Sequence, residues 1–265
     1  MNIFKRARTR YILYHHAISH QLWFDVSENL PCLHKMAAVE KAHLRELTTL
    51  FLHDKNFVGV QGLQMTNDMC VTIAVQACLP VLGLGIAGLA CWTDIVVYPA
   101  AFQVSRDDMD SIGVVHHQDR VLVGESWSRG PIILSWEEVA HDAYAVGNAR
   151  NVVIHEIAHK LDMLNGSANG FPPLHYGMDI TLWTTALSVA YQTLVHRIEH
   201  RHRSCINPYA ASNPGEFFAV CSEYFFCAPD ILNAHFAKVY QQLQQYYRQD
   251  PLLRSTRNLS LFKHT

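Results

Sequence analysis

One segment of the chain, from Met69 to Trp92, contains no charged residue and reads MCVTIAVQACLPVLGLGIAGLACW. It is long enough to cross a bilayer as a helix, so the chain must place it either in a membrane or in a protein core. Gln76 lies inside the segment, Pro80 interrupts it, and three glycines cluster in its second half. This pattern favours a core helix followed by a buried glycine-rich turn, and we expect no membrane span.

The composition indicates a globular protein and excludes some classes of partner. Of the 265 residues, 49% are hydrophobic and 17% are charged, which is enough apolar material for one substantial core. The 21 basic and 23 acidic residues nearly balance, so the positive charge typical of a nucleic-acid binder is missing. The seven cysteines are odd in number and contain no CxxC pair, which is typical of a reducing compartment. We expect a cytoplasmic protein that binds neither nucleic acid nor membrane directly.

Helical and strand patterns occupy separate parts of the chain. Apolar residues at helical spacing predict an N-terminal helical part over about 1–92. The short β-branched runs DIVVYPAAFQV, RVLVGESW and GPIILSW predict a small, mostly antiparallel sheet over about 93–136. Helical periods return over about 137–250, where the catalytic helices are expected. No Pro/Gly/Ser-rich linker divides the sequence, so we expect one α+β domain covering 1–265. Individual helices are predicted over 34–53, about 66–79, 137–147, 182–201, 213–226 and about 229–247.

The segment NVVIHEIAHKLDMLNG, which begins at Asn151, contains two histidines four residues apart. On an α-helix His155 and His159 share a face, so both imidazoles can bind one metal ion, and zinc suits such ligands. Glu156 lies about 100° round the helix, where it can act as general base towards a zinc-activated water. With 17 histidines in the chain, a spaced pair can arise by chance. The apolar flanks nevertheless predict a buried helix, in which ionisable groups need a partner such as a metal.

A third ligand is expected from a distant part of the chain. A metzincin would continue the motif with Gly and His at the positions of Asp162 and Asn165, so that pattern is excluded. The segment ASNPGEFFAVCSEYFF offers Glu216 and Glu223, which are seven residues apart and share one face of a predicted helix.

The spacing alone leaves the role of Glu216 open. It can be a metal ligand, or it can complete a capping box with Asn213 as N-cap and Pro214 at the first helical position. We expect Glu223 to hydrogen-bond a ligand histidine. For Asp162 we expect a hydrogen bond that orients a neighbour, or exposure to solvent at the helix end.

Three segments together resemble the bacterial Mlc titration factor A family, a group of cytoplasmic zinc metallopeptidases. They are NVVIHEIAHKLD, YAASNPGEFFAVCSEYFF and GPIILSW, and the resemblance runs over most of the chain, from TIAVQACLPVLGLG through GESW to the helix after Pro229. It implies a zincin-like metallopeptidase domain of the gluzincin type.

The resemblance also implies the site residues. One Zn²⁺ per chain would be held by His155, His159 and Glu216, and Glu156 would be the catalytic base. Tyr209, in NPYAA, matches a family tyrosine that stabilises the transition state, which fits a phenol that donates a hydrogen bond to an oxyanion.

The expected function is hydrolysis of peptide bonds, with aminopeptidase activity on short peptide substrates. The family takes its name from binding the glucose repressor Mlc, so a Mlc-like transcriptional repressor of sugar-uptake genes is an expected partner. The alternative is a non-catalytic protein that sequesters such a regulator. A further alternative is a zinc-stabilised scaffold in which Asp162, Glu223 or His175 closes the coordination.

Overall fold

The computed structural model describes residues 3–100, 130–145 and 147–254. In chain order the first elements are α1 (Ile3–His15), α2 (His20–Ser27), α3 (Ala38–Asp54), β1 (Asn56–Gly59), α4 (Asn67–Cys78), β2 (Asp94–Tyr98) and β3 (Ile132–Ser135). They are followed by α5 (Trp136–Tyr144), α6 (Val152–Asp162), α7 (Ile180–Glu199), α8 (Pro214–Cys227) and α9 (Pro229–Tyr247). Short 3-10 turns cover Pro31–Leu33, Ile86–Leu89, Met163–Asn165 and Pro208–Ala211.

The uncharged segment forms the largely buried helix α4, as its pattern predicts, and a glycine-rich turn that is only half-buried over 83–86. The hydroxyl of Thr66 accepts a hydrogen bond from the backbone N–H of Met69 at 3.3 Å and caps the helix. After α4 the chain turns against the end of α9, where a Cβ on Gly83 would lie only 2.4 Å from the carbonyl oxygen of Tyr247. Glycine is therefore needed for this close approach. None of the helices in the described ranges is long and apolar enough to cross a membrane.

The sheet corrects one prediction. Its described strands have the order β1-β2-β3, and both pairings are parallel, with Phe57 opposite Ile95 and Val97 opposite Leu134. The mostly antiparallel sheet expected from the sequence is therefore wrong for these strands. A parallel pair needs a long crossover, and α4 supplies it between β1 and β2. The short run at β1 was not predicted as a strand, and RVLVGESW, at 120–127, lies outside the described residues.

The C-terminal helices contribute a large part of the core. α8 packs against both α6 and α9, and nearly all of its side chains are buried. Large aromatic side chains fill the space between α7, α8 and α9; they are Trp183, Phe217, Phe218, Phe225, Tyr246 and Tyr247. This packing positions α8 against α7 and α9, and the contact of α8 with α6 builds the site described below. All seven cysteines are free thiols.

Candidate metal centre

Helix α6 presents the two motif histidines together. The side-chain oxygen of Asn151 accepts a hydrogen bond from the N–H of Ile154 at 3.0 Å and begins the helix. One turn further on, the Nε2 atoms of His155 and His159 lie 3.1 Å apart. Only 12% of each imidazole side chain is exposed. The predicted pairing of the two histidines on one buried face is therefore present.

Helix α8 brings the carboxylate of Glu216 to the same point. Its Oε2 lies 3.1 Å from Nε2 of His155 and 3.4 Å from Nε2 of His159. The backbone N–H of Glu216 donates to the side chain of Asn213 at 3.0 Å. This N-cap bond involves the main chain of Glu216 and leaves its carboxylate available. The described contacts of α8 therefore include the N-cap bond of Asn213 and not the capping box, and the carboxylate of Glu216 faces the imidazoles.

These three side chains have the chemistry of a metal-binding group. One donor atom from each of His155, His159 and Glu216 lies within 4.8 Å of the other two. Within the described ranges, Oε2 of Glu216 and Nδ1 of His159 are buried atoms without a hydrogen-bond partner. A buried carboxylate oxygen without a donor is costly, and a bound cation removes that cost.

The charges around the imidazoles also favour a cation. Burial of His155 acts to lower its pKa, but the carboxylates of Glu216 and Glu223 outweigh it and raise the pKa well above its usual value. Burial conversely acts to raise the pKa of Glu216, but its contacts with His155 and His159 lower that pKa to about 2. The carboxylates thus place negative charge beside the two imidazoles, which favours a cation there, either a proton or a metal ion.

A chain of buried hydrogen bonds supports His155 from behind. Its Nδ1 lies 2.8 Å from Oε1 of Glu223, whose Oε2 accepts the backbone N–H of Asn151 at 2.6 Å. The side-chain amide of Asn151 donates in turn to Oε1 of Gln76 at 2.6 Å. The expected hydrogen bond of Glu223 to a histidine is therefore present. Sequence reasoning missed Asn151 and Gln76, although a polar residue inside the apolar segment 69–92 was the available signal.

The two predicted catalytic residues lie around the histidine pair. Glu156 is partly buried on α6, and its charge acts to raise the pKa of His155. Tyr209 lies on the 3-10 turn Pro208–Ala211, with its ring centroid 6.2 Å from that of His155. The side chain of Asn207 accepts the N–H of Tyr209 at 3.0 Å and caps that turn.

The residues considered as a fourth ligand are engaged elsewhere. Asp162 is fully buried and accepts the N–H of Gly170 at 2.7 Å, and burial raises its pKa to about 6. His175 donates from Nε2 to the carbonyl oxygen of Tyr246 at 2.7 Å. With Glu223 bonded to Nδ1 of His155, all three side chains have other roles, which argues against a closed structural site.

Comparison with known proteins agrees with this geometry. The model of the family described as glucose-regulated metallo-peptidase M90 matches residues 4–248. Mlc titration factor A from Yersinia pestis (strain Pestoides F) is 39% identical over 232 residues, which cover 86% of this chain and 85% of that protein. The same identity and coverage hold for Mlc titration factor A from Yersinia pseudotuberculosis serotype O:1b (strain IP 31758). The resemblance found in the sequence is confirmed: the chain is a relative of the Mlc titration factor A proteins, and it belongs to the glucose-regulated metallo-peptidase M90 family.

Proposed function

We propose that the chain is a zinc-dependent metallopeptidase with a zincin-like fold, acting in the cytoplasm as an aminopeptidase on short peptides. His155, His159 and Glu216 would hold one zinc ion. The observation that carries the proposal is the mutual spacing of their donor atoms, 3.1, 3.1 and 3.4 Å. Ligand atoms about 2.0–2.1 Å from zinc at tetrahedral angles lie about 3.3 Å apart, so this spacing suits the ion.

The chain's own residues would carry the proton transfers. Zinc, when bound, polarises a carbonyl group and lowers the pKa of water at its open position. Glu156 accepts the proton of the attacking water and returns it to the leaving amine. Tyr209 donates a hydrogen bond from its phenol to the oxyanion that develops on the substrate. Glu223 keeps the hydrogen of His155 on Nδ1, so that Nε2 presents its lone pair to the metal.

The test combines metal content with hydrolysis. Native protein and Glu156→Gln are assayed for bound zinc and for hydrolysis of amino-acyl and short-peptide chromogenic substrates. An aminopeptidase should cleave peptides with a free N-terminus and leave N-terminally blocked peptides intact. Turnover should fall at least about 100-fold in Glu156→Gln with zinc retained. Glu137→Gln is the matched control, because it removes the same charge from an exposed position on α5. Equal turnover in native protein and Glu156→Gln would refute the catalytic role.

Binding of a transcriptional repressor is the second candidate function. It is favoured by the name of the relatives, Mlc titration factor A, which points to the repressor Mlc. We propose that the chain also binds a Mlc-like repressor of sugar-uptake genes, independently of catalysis. Glu156→Gln should then bind purified Mlc as tightly as the native protein does in a calorimetric titration. If the native protein holds zinc, hydrolyses nothing and binds the repressor, the chain is a non-catalytic regulator.

A further inference from the structure

A second group of metal-ligating side chains lies at the C-terminal end of α7. His196, Glu199 and His200 each offer one ligand atom, and these atoms lie within 4.8 Å of one another. All three residues are exposed. Among the described residues this is the second group with such spacing, and it shares no residue with the first.

The two histidines are arranged as ligands of one ion. They are four residues apart in the helix, and their ring centroids lie 4.0 Å apart. Nδ1 of His200 lies 2.8 Å from the carbonyl oxygen of His196. Because a carbonyl oxygen only accepts, Nδ1 carries the hydrogen and Nε2 keeps its lone pair. Metal-binding histidines commonly have this arrangement, with the second nitrogen bonded to a carbonyl.

The helix dipole and one carboxylate favour a cation at this helix end, and they act against the charges of neighbouring arginines. His200 is the C-cap of α7, where the helix dipole places partial negative charge. Glu199 adds a carboxylate between the two imidazoles in sequence. Two arginines adjoin the group in sequence, Arg197 and the exposed Arg201. Arg197 donates to the carbonyl oxygen of Arg203 at 2.9 Å and so bonds to the loop that follows.

We propose that the C-terminal end of α7 is a second metal site, which binds a divalent transition-metal ion such as zinc through His196, Glu199 and His200. Two imidazoles and one carboxylate suit zinc and its neighbours in the transition series better than magnesium or calcium. The ligands are exposed, so water completes the coordination and the affinity is lower than that of the buried centre. The site is independent of the proposed peptidase activity.

Zinc stoichiometry tests the proposal. The full chain, without a histidine tag, is dialysed against buffers of increasing free zinc, and the bound metal is counted by elemental analysis. The native protein should bind two ions per chain in separate steps. His196→Gln and His200→Gln should each weaken the second step by at least roughly tenfold and leave the first unchanged. Because both positions are exposed, these substitutions leave the core intact.

His202→Gln is the matched control. The ring of His202 lies 6.3 Å from that of His200, and it is outside the ligand group, so this variant should bind both ions like the native protein. The double variant His155→Gln/His159→Gln separates the two sites, because it should lose the tight ion and keep the weaker one. The proposal is overturned if the native protein takes up only one ion at micromolar free zinc. It is equally overturned if the second ion persists in His196→Gln/His200→Gln.

Discussion

Nδ1 of His155 and Oε1 of Glu223 lie 2.8 Å apart, and the bond between them joins helix α6 to helix α8. The carboxylate accepts, so the imidazole carries a hydrogen on Nδ1, and in the neutral form of His155 it is Nε2 that has the lone pair. That nitrogen faces Glu216 and His159. The second oxygen of Glu223 accepts the N–H of Asn151, so one carboxylate holds both the start of α6 and the orientation of a proposed ligand.

Replacing Glu223 with glutamine should weaken metal binding. The amide has one acceptor oxygen for two donors, so either His155 or the N–H of Asn151 loses its partner. We expect zinc affinity to fall roughly 10–100-fold, as for other residues that orient ligand histidines. Competition with a chromogenic chelator measures this, with Glu137→Gln as the control. An unchanged affinity would contradict the orienting role.

Replacing Gln76 with methionine should disturb the same centre from a greater distance. The variant loses the bond from the Asn151 amide at 2.6 Å and the bond to the carbonyl oxygen of Thr72 at 3.0 Å. We expect the free energy of unfolding to fall by about 1–3 kcal/mol, because buried polar groups lose partners, and zinc affinity to fall with it.

Gln249→Met is the control for that experiment. Gln249 is also a buried glutamine, and it donates to the carbonyl oxygen of Leu79 at 2.9 Å. It is not part of the series of hydrogen bonds that links Gln76 to His155. Both variants should lose stability in denaturant titrations, but only Gln76→Met should release zinc more readily to a chelator. Equal zinc affinity in the two variants would show that Gln76 acts on stability alone.

Replacing Tyr209 with phenylalanine should lower kcat and leave zinc content unchanged. The phenol is the proposed donor to the oxyanion, and loss of such a donor costs roughly 100-fold or more in kcat. Since the interaction forms in the transition state, KM should change little. Steady-state kinetics of the best chromogenic substrate measure both constants. Tyr176→Phe, at a fully exposed tyrosine, is the control, and a similar loss in both variants would count against the assignment.

Lys55 predicts a dependence of stability on pH. Its ammonium is buried, donates to the carbonyl oxygens of Leu89 and Trp92, and lies 3.7 Å from the centre of the Trp92 ring. Burial lowers its pKa from 10.5 to about 8. Between those values the unfolded chain binds more protons than the folded chain, so this residue's contribution to stability rises with pH.

The comparison with Lys55→Met isolates that contribution, because other lysines and the tyrosines titrate in both proteins. The free energy of unfolding of the native protein, minus that of the variant, should increase as pH rises from about 8 to 10.5. Denaturant titrations at several pH values measure the difference. Parallel curves for the two proteins would contradict a lowered pKa.

Local structure was predictable wherever neighbouring residues decide it. Asn213 and Pro214 predict the start of α8, and the four-residue spacing of His155 and His159 predicts their shared face. These features depend on helix geometry and capping, which a few consecutive residues encode. The helices over 66–79, 213–226 and 229–247 agree with α4, α8 and α9 for the same reason.

The sequence by itself determined the helices from α3 onwards, the shared face of His155 and His159 and, through its resemblance, the family, whereas α1 and α2 were not predicted individually. Only the tertiary structure decided that the described strands are parallel and that the carboxylate of Glu216 faces the imidazoles while its backbone N–H is bonded to the N-cap. It also decided that Gln76 hydrogen-bonds Asn151, the residue at which α6 begins. Those relationships depend on how α4, α6 and α8 bury their apolar faces against one another. That packing joins residues far apart in the chain, and local periodicity does not encode it.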